Sequence, residues 1–157
     1  MNRRSFLSHA GAAIAATATL PALGQAPAPE RVVKTPEEWR KVLTPEQFHI
    51  LREEGTEPPY TSPLNNEKRK GTFVCAACAL PLFKSDTKYD SGTGWPSFYA
   101  AIPGAVGTKV DYKIIVPRTE YHCSRCEGHQ GHVFDDGPKP TGKRYCNNGV
   151  ALKFVPA

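Results

Sequence analysis

Four of the five cysteines form two CxxC pairs, Cys75 with Cys78 and Cys123 with Cys126. Each pair places two sulfurs within one turn, which is what a tetrahedral metal ion needs from each half of a four-cysteine site. The spacing therefore predicts one structural zinc ion that joins two distant parts of a single domain. Two alternatives stay open, namely two disulfides in an exported protein or a thioredoxin-like redox CxxC. A CxxC disulfide closes too small a loop to stabilise much, and neither pair follows a βαβ pattern.

The fifth cysteine, Cys146, is a candidate nucleophile. Lys143 and Arg144 come just before it, and cationic neighbours lower the pKa of a thiol toward the reactive thiolate. A single remaining cysteine in a chain that also holds histidines is typical of a cysteine enzyme. The alternative is a buried, inert thiol.

Two histidines and a tryptophan could complete a site around this thiol. His129 and His132 lie close together in "HCSRCEGHQGHVFDDGP", at the start of a predicted strand, so their imidazoles can converge on one pocket. Trp95 lies in "SGTGWPSF", where glycines and a proline favour a tight turn that fixes the indole. A fixed aromatic ring can hold a methyl group on a polarised sulfur. Taken singly, these residues are more typical of structural or surface histidines and of a core tryptophan.

Two short helices and several strands must position these side chains. Thr35 and Thr44 each precede a proline, and Glu38 and Gln47 follow three residues after them. Both patterns are capping boxes with proline at the first helical position, so they predict two helix starts. After Gly71, short apolar segments alternate with turn residues, which predicts a mainly β fold. The segments are "GTFV", "LPLF", "TKVDYKIIV", "TEYH", "GHVF" and "GVALKFV".

Residues 1–26 have the pattern of a cleaved signal peptide. Arg3 and Arg4 precede an alanine-rich apolar run at residues 10–23, and small residues follow at 24–26. The run is shorter than the roughly 20 apolar residues that span a bilayer. The arginine pair resembles the twin-arginine export signal of bacteria, which implies export of an already folded protein to the periplasm. An ordinary secretory signal is the alternative.

The rest of the chain predicts one domain at residues 35–157, after a Pro/Ala-rich linker at residues 27–34. The net charge of +5 counts Arg3 and Arg4, so it is +3 without these two arginines. Such a mild charge without a dense basic run argues against nucleic acid as a partner. We expect a monomer with no stable membrane association.

Three separated stretches, "SGTGWPSF", "HCSRCEGHQGHVFDDGP" and "RYCNNGVALKF", together resemble the methionine-R-sulfoxide reductase B family in its zinc-containing form. The resemblance runs from Thr35 to Phe154. It implies a β-tent-like fold of two antiparallel sheets, with structural zinc bound away from the active centre. It also implies thiol-dependent reduction of methionine-R-sulfoxide in proteins and peptides. The implied zinc ligands are Cys75, Cys78, Cys123 and Cys126.

The resemblance further implies a role for each site residue. Cys146 attacks the sulfoxide sulfur and becomes a sulfenic acid, while Arg144 helps to keep the thiol ionised. Trp95 packs on the methyl group of the substrate. His129 and His132 supply general acid and electrostatic help. Two further residues orient the histidines and the substrate, namely Asp136 and Asn148.

The sequence departs from the usual family pattern at several positions. Thr93 stands where many members have a cysteine that resolves the sulfenic acid, so we predict reduction by an external thiol, thioredoxin-like or other. Gln130 replaces a usually apolar residue and Asn147 an often β-branched one. Two rival functions stay open: a zinc-stabilised binding module with an inert Cys146, and a disulfide oxidoreductase that holds no zinc.

Overall fold

The computed structural model describes residues 29–157, and it begins with two capped helices. They are α1 (Pro36–Val42) and α2 (Pro45–Glu53). Both predicted capping boxes are confirmed. In each, the threonine hydroxyl accepts the backbone N–H of the residue three positions later, and the side chain of that residue accepts the threonine backbone N–H. The predicted signal peptide at residues 1–26 lies outside the described residues. None of the helices described at residues 29–157 is long and apolar enough to cross a membrane.

The described residues form nine strands in two antiparallel sheets, as the family resemblance implies. The small sheet has the order β2-β1-β9, and the large sheet has the order β3-β4-β8-β7-β6-β5. The mainly β, two-sheet fold with two N-terminal helices is therefore confirmed. The strands are β1 (Gly71–Cys75), β2 (Pro81–Lys84), β3 (Lys88–Tyr89), β4 (Ser97–Phe98), β5 (Val106–Asp111), β6 (Arg118–Cys123), β7 (His129–Phe134), β8 (Arg144–Asn147) and β9 (Leu152–Pro156).

Aromatic side chains fill the space between the two sheets. Phe83 of β2 stacks on Phe98 of β4 with ring centroids 4.2 Å apart, and it meets Tyr121 of β6 edge-on at 6.1 Å. Tyr145 of β8 joins this cluster. Because side chains alternate along a strand, Cys146 must point to the other face of the large sheet. The core thus fixes which face carries the candidate nucleophile.

One predicted strand ends earlier than the apolar pattern indicated, and another starts later. The segment "TKVDYKIIV" does not continue as a strand to Val116, because β5 ends at Asp111. The carboxylate of Asp111 accepts the Lys113 N–H at 2.9 Å and turns the chain, so residues 112–116 form the tip of the β5–β6 hairpin. In "GVALKFV", the first three residues form a 3-10 turn at Gly149–Ala151 before β9 begins.

Candidate active site and metal centre

The four cysteines of the CxxC pairs lie together where β1 and β6 end. Their sulfurs are all within 4.8 Å of one another. The Sγ atoms of Cys75 and Cys126 are 3.7 Å apart, and those of Cys78 and Cys123 are 3.5 Å apart. A tetrahedron with metal–sulfur bonds of about 2.3 Å has sulfur–sulfur edges of about 3.8 Å. A disulfide needs about 2.05 Å, and the thiols are unpaired, so the cluster fits a metal ion and not two disulfides.

Two turns of the same geometry build this cluster. In each turn the residue after the second cysteine has a left-handed backbone, with φ 59° at Ala79 and 58° at Glu127. The N–H of Ala79 donates to the Cys75 carbonyl and that of Glu127 to the Cys123 carbonyl, both at 2.8 Å. Neither turn opens a helix, so the cluster lacks the context of a thioredoxin-like CxxC. The repeated turn aims two sulfurs from each side at one point.

Cys146 lies at a separate pocket of about 200 Å³ on the outer face of the large sheet. In the strand register it stands opposite Ser97 of β4 and His132 of β7. Side chains at directly opposed positions have Cβ atoms about 5 Å apart, so strand pairing alone brings the thiol and the imidazole together. The other walls come from residues of several elements, among them Thr56, Thr93, Trp95, Arg118, Phe134 and Arg144.

Asp111 orients the pocket histidine. Its Oδ2 lies 2.7 Å from Nε2 of His132 and accepts a hydrogen bond from Arg118 at 2.7 Å. The Lys113 backbone N–H, His132 and Arg118 together hold the pKa of Asp111 well below its usual range. Burial lowers the pKa of His132 from its usual 6.5. The imidazole is therefore neutral near neutral pH, with its proton on Nε2 toward the carboxylate and a lone pair on Nδ1.

The thiol of Cys146 is not ionised in advance. Burial raises its pKa above the usual 9.0, although the guanidinium of Arg144 and the hydroxyl of Thr93 act in the opposite direction. The expectation of a lowered pKa is therefore wrong, because the cost of burying the thiolate exceeds the effect of one guanidinium. Lys143, the other cation considered, pairs at the surface with Asp135. The resting thiol needs a base, and the candidate is the imidazole of His132, which is opposite Cys146 in the strand register and lines the same pocket.

Residues 43–156 match the SelR domain family. A protein of Methanosarcina barkeri, named peptide methionine sulfoxide reductase MsrB, is 56% identical over 128 residues, which are 81% of this chain and 90% of that protein. The chain belongs to the MsrB family. The peptide methionine sulfoxide reductase MsrB of Leptospira interrogans is 56% identical over 124 residues, which are 78% of this chain and 95% of that protein. The chloroplastic peptide methionine sulfoxide reductase B1 of Arabidopsis thaliana is 56% identical over 118 residues, which are 74% of this chain and 58% of that protein.

The second histidine of this MsrB-family chain, His129, lies behind the pocket wall. A bulge at Gln130 in β7 puts His129 and His132 on the same face of the sheet, with ring centroids 5.5 Å apart. His129 is buried, and its Nδ1 lies 2.8 Å from a carboxylate oxygen of Glu120. The other oxygen of Glu120 is 3.1 Å from Nδ1 of His122. His129 can therefore support His132, and it is not among the residues that line the pocket.

Asp136 does not orient the histidines, contrary to the sequence-based prediction. Its two carboxylate oxygens accept hydrogen bonds from Nε and one terminal nitrogen of Arg144, both at 2.8 Å. The reason is that β7 ends at Phe134, so the following residues face the start of β8. The carboxylates that hold the histidines come from the next two strands of the sheet, namely Glu120 of β6 and Asp111 of β5. Sequence reasoning missed both, although period-two alternation puts Glu120 on the face of β6 opposite to the buried Tyr121.

Glu57 is a further residue that the sequence did not single out, because no motif includes it. Its buried carboxylate accepts the N–H groups of Gly149 at 2.6 Å and Val150 at 2.9 Å. Its N–H donates to the Asn148 side chain at 3.0 Å, and its carbonyl accepts from the Trp95 indole at 3.0 Å. Burial raises the pKa of this carboxyl group. Glu57 thus ties two walls of the pocket together.

The two polar departures from the MsrB pattern hydrogen-bond to each other. Both Gln130 and Asn147 are fully buried, and the Asn147 amide donates to the Gln130 side-chain oxygen at 3.4 Å. The Tyr121 hydroxyl donates to Asn147 at 2.6 Å, and the Gln130 amide donates to the Cys75 sulfur at 3.5 Å. Each polar side chain therefore compensates for the other. The network joins the metal-binding cluster to the strand that carries the candidate nucleophile.

Proposed function

We propose that the protein reduces the R epimer of methionine sulfoxide in peptides and proteins to methionine. The observation that carries this proposal is the register pairing of Cys146 with His132 at the floor of a pocket that also contains Trp95. The named relatives are peptide methionine sulfoxide reductases, which supports the same chemistry. A binding module would have no use for a thiol set opposite an oriented imidazole.

The thiol is activated by the imidazole. Nδ1 of His132 takes the proton from Cys146, and the Asp111 carboxylate stabilises the imidazolium that forms. The thiolate attacks the sulfoxide sulfur and forms a sulfur–sulfur bond, while the imidazolium returns its proton to the sulfoxide oxygen. The hydroxyl group then passes to the Cys146 sulfur as the sulfur–sulfur bond and the bond between oxygen and the methionine sulfur both break. Methionine leaves, and Cys146 is a sulfenic acid. The methionine sulfur gains two electrons and the cysteine sulfur loses two, so the step balances.

The pocket walls account for the choice of epimer. Trp95 presents an indole whose orientation is fixed by its hydrogen bond to the Glu57 carbonyl, and it can hold the substrate methyl group. The sulfoxide oxygen then points toward the imidazolium of His132. In the S epimer the methyl group and the oxygen are exchanged, so the oxygen would lie against the indole. Arg144, fixed by Asp136, adds positive charge beside the reacting sulfur.

An external thiol regenerates the enzyme. Thr93 lines the pocket at the position where a resolving cysteine would stand, and its hydroxyl lies 2.8 Å from that of Ser91. The other four cysteines belong to the metal-binding cluster. A thioredoxin-like or small thiol attacks the sulfenic sulfur and releases water, and a second thiol then frees Cys146 from the mixed disulfide. Two external thiols are therefore oxidised per cycle.

The metal in the four-cysteine cluster is zinc. A set of four sulfur ligands at tetrahedral spacing is the preferred structural site of zinc, and a closed site of this kind leaves no position for substrate. The ion supplies a crosslink and takes no part in the reaction. Cys75 comes from the small sheet and Cys123 from the large one, so the ion holds the two sheets together.

The protein works in the periplasm after twin-arginine export of its folded form. The support is the arginine pair at Arg3 and Arg4 ahead of an apolar run, and prior folding would load zinc before an oxidising compartment is reached. Fractionation of cells that produce the wild type or the double variant Arg3→Lys/Arg4→Lys tests this. We expect the variant to stay in the cytoplasm, and unchanged export would refute the route.

The reductase proposal is tested with both sulfoxide epimers of one methionyl peptide and dithiothreitol as the external thiol. Wild type should reduce only the R epimer, and Cys146→Ser should reduce neither. The matched control is Cys146→Ser titrated with the same peptide, which should still bind it. Turnover by the serine variant, or equal rates on both epimers, would contradict the proposal.

A further inference from the structure

The tip of the β5–β6 hairpin exposes a cluster of apolar side chains. Within the five residues 112–116, only Lys113 is polar. Tyr112, Ile114 and Val116 are exposed, and Ile115 is fully exposed to solvent. Scattered exposed apolar residues are ordinary, but a contiguous set usually marks a site of interaction. We name residues 112–116 the apolar loop.

The apolar loop is held in place at its base. The Asp111 carboxylate accepts the Lys113 N–H, and the Lys113 ammonium pairs with Glu54 at the end of α2 at 2.6 Å. Glu54 also binds Lys109 of β5. An anchored base means that the apolar side chains point into solvent at a fixed place on the molecule. Lys113 is directed toward Glu54, so the cation of the loop lies at its base and the apolar side chains form the rest of its surface.

The apolar loop continues directly into the catalytic pocket at both of its ends. Before it, Asp111 binds the pocket histidine, His132. After it, Arg118 lines the pocket and binds the same carboxylate. A pocket of about 200 Å³ holds one oxidised methionine side chain and little more. The residues on either side of that methionine in a polypeptide must therefore lie outside the pocket. The apolar loop starts one residue after Asp111 and ends two residues before Arg118, so it lies next to the pocket.

We propose that the apolar loop binds apolar residues that flank the oxidised methionine in a polypeptide substrate. The inference rests on the proposed reductase function and extends it to a subsite. An exposed set of apolar side chains gains free energy by covering apolar residues of a bound chain, and it gains little from polar ones. The loop therefore favours segments with Leu, Ile, Val or Phe beside the sulfoxide over segments with polar residues there.

Two other occupants are less consistent with these contacts. A membrane-binding loop usually combines apolar residues with a cluster of free cations that meet anionic headgroups. Here Lys109 and Lys113 share the carboxylate of Glu54 and Arg118 pairs with Asp111, so these five groups carry a net charge of only +1. A second copy of the chain would have to cover the pocket rim, which the substrate needs. Both occupants remain as outcomes of the test.

The test compares three substrates with wild type and with the triple variant Ile114→Ser/Ile115→Ser/Val116→Ser. The substrates are a pentapeptide with leucines beside methionine-R-sulfoxide, the same peptide with serines, and N-acetylmethionine-R-sulfoxide. We expect the variant to lose about tenfold in kcat/KM on the leucine peptide, mainly through KM. Its kcat/KM on the other two substrates should not change. The matched control is Val33→Ser/Val155→Ser, which removes exposed valines away from the pocket and should behave as wild type.

Each outcome is decisive. Equal losses on all three substrates, or no loss on any, would overturn the inference while leaving the reductase function intact. If wild type sediments with anionic phospholipid vesicles, the triple variant does not, and the peptide preference is the same in both, the loop binds membranes. That result would also overturn the inference. Conversion of a wild-type dimer to a monomer in the variant would assign it to self-association. Absence of any reduction of N-acetylmethionine-R-sulfoxide by wild type would refute the reductase function, and the inference with it.

Discussion

The raised pKa of Cys146 has two chemical consequences. A thiol that stays protonated at neutral pH is oxidised slowly by peroxides, because susceptibility follows the thiolate fraction. Once its proton is removed, a thiolate of high pKa is intrinsically the stronger nucleophile. The residue is thus protected at rest and reactive only when a bound substrate lies beside the base. This combination suits an enzyme that would work in an oxidising compartment.

The pH dependence of kcat/KM follows from the two shifted groups. The reactive form has a protonated thiol and a neutral imidazole. The pKa of His132 is lowered from 6.5, so the imidazole loses its base function only below pH 6.5. The pKa of Cys146 is raised from 9.0, so the thiol keeps its proton to above pH 9.0. We therefore expect a plateau between these values in steady-state assays, whereas a continuous rise across that range would mean that the thiolate forms without the imidazole.

Asp111→Asn tests the orienting carboxylate. The amide cannot stabilise an imidazolium at His132, so we expect kcat to fall by about 10²-fold, with a smaller change in KM. The matched control is Asp135→Asn, which removes an exposed carboxylate paired with Lys143 and should keep wild-type kinetics. Equal activity of the two variants would exclude Asp111 from the mechanism.

The site also depends on how whole strands approach one another. Gly131 of β7 lies where an added Cβ would be 1.9 Å from the carbonyl oxygen of Cys146, so only glycine allows β7 and β8 to pair this closely. The bulge at Gln130 turns His129 onto the same face as His132. The register and the close packing at Gly131 together set the thiol–imidazole pair of Cys146 and His132, and the bulge adds His129 beside it.

Glu57→Gln tests the segment that holds the pocket walls. The amide offers one acceptor where the carboxylate offers two, so one N–H of Gly149 or Val150 loses its partner. Because this loosens the Trp95 and Asn148 walls but not the sheet, we expect KM to rise about tenfold with kcat nearly unchanged. Kinetics of Glu57→Gln and of Glu37→Gln, an exposed control on α1, give the answer. A fall in kcat at constant KM would contradict this positioning role.

Features that depend on residues close together in sequence were predicted correctly. Contacts between side chains on different strands could not be predicted from the sequence. Both helix starts are local capping boxes, and the two CxxC turns carry their own geometry, so all four were correct. The strand predicted to run to Val116 was wrong because one side chain, Asp111, turns the chain against an apolar run. Asp136 was assigned to the histidines through the family resemblance, and it is near them in sequence only. Their real partners lie across the sheet, where only the register could place them.

Across the whole molecule, the four-cysteine cluster and the catalytic pocket have separate tasks. The cluster joins β1 of the small sheet to β6 of the large sheet, and the pocket lies on the outer face of the large sheet. Only the buried polar pair Gln130 and Asn147 connects the two regions among the contacts described above. Loss of metal should therefore act through stability of the fold and not through the chemical step.

Cys78→Ser tests this separation. The variant lacks one of four ligands, so we expect less bound zinc and a Tm lower by at least about 10 °C, because structural zinc contributes many kcal/mol to folding. The fraction that stays folded at low temperature should keep its kcat. Thermal unfolding and metal analysis of Cys78→Ser and of Ala77→Ser, a control within the same turn, supply the comparison. An unchanged Tm would show that the cluster is not a structural metal site.

The central claim is that Cys146 takes the sulfoxide oxygen and that no other thiol of the chain resolves it. Mass spectrometry of the protein after incubation with excess methionine-R-sulfoxide peptide and no reductant tests it directly. We predict one methionine peptide released per protein and one added oxygen, located on Cys146 and sensitive to a sulfenic-acid reagent. A disulfide between Cys146 and any of the other four cysteines, or product without oxidation of Cys146, would contradict the account.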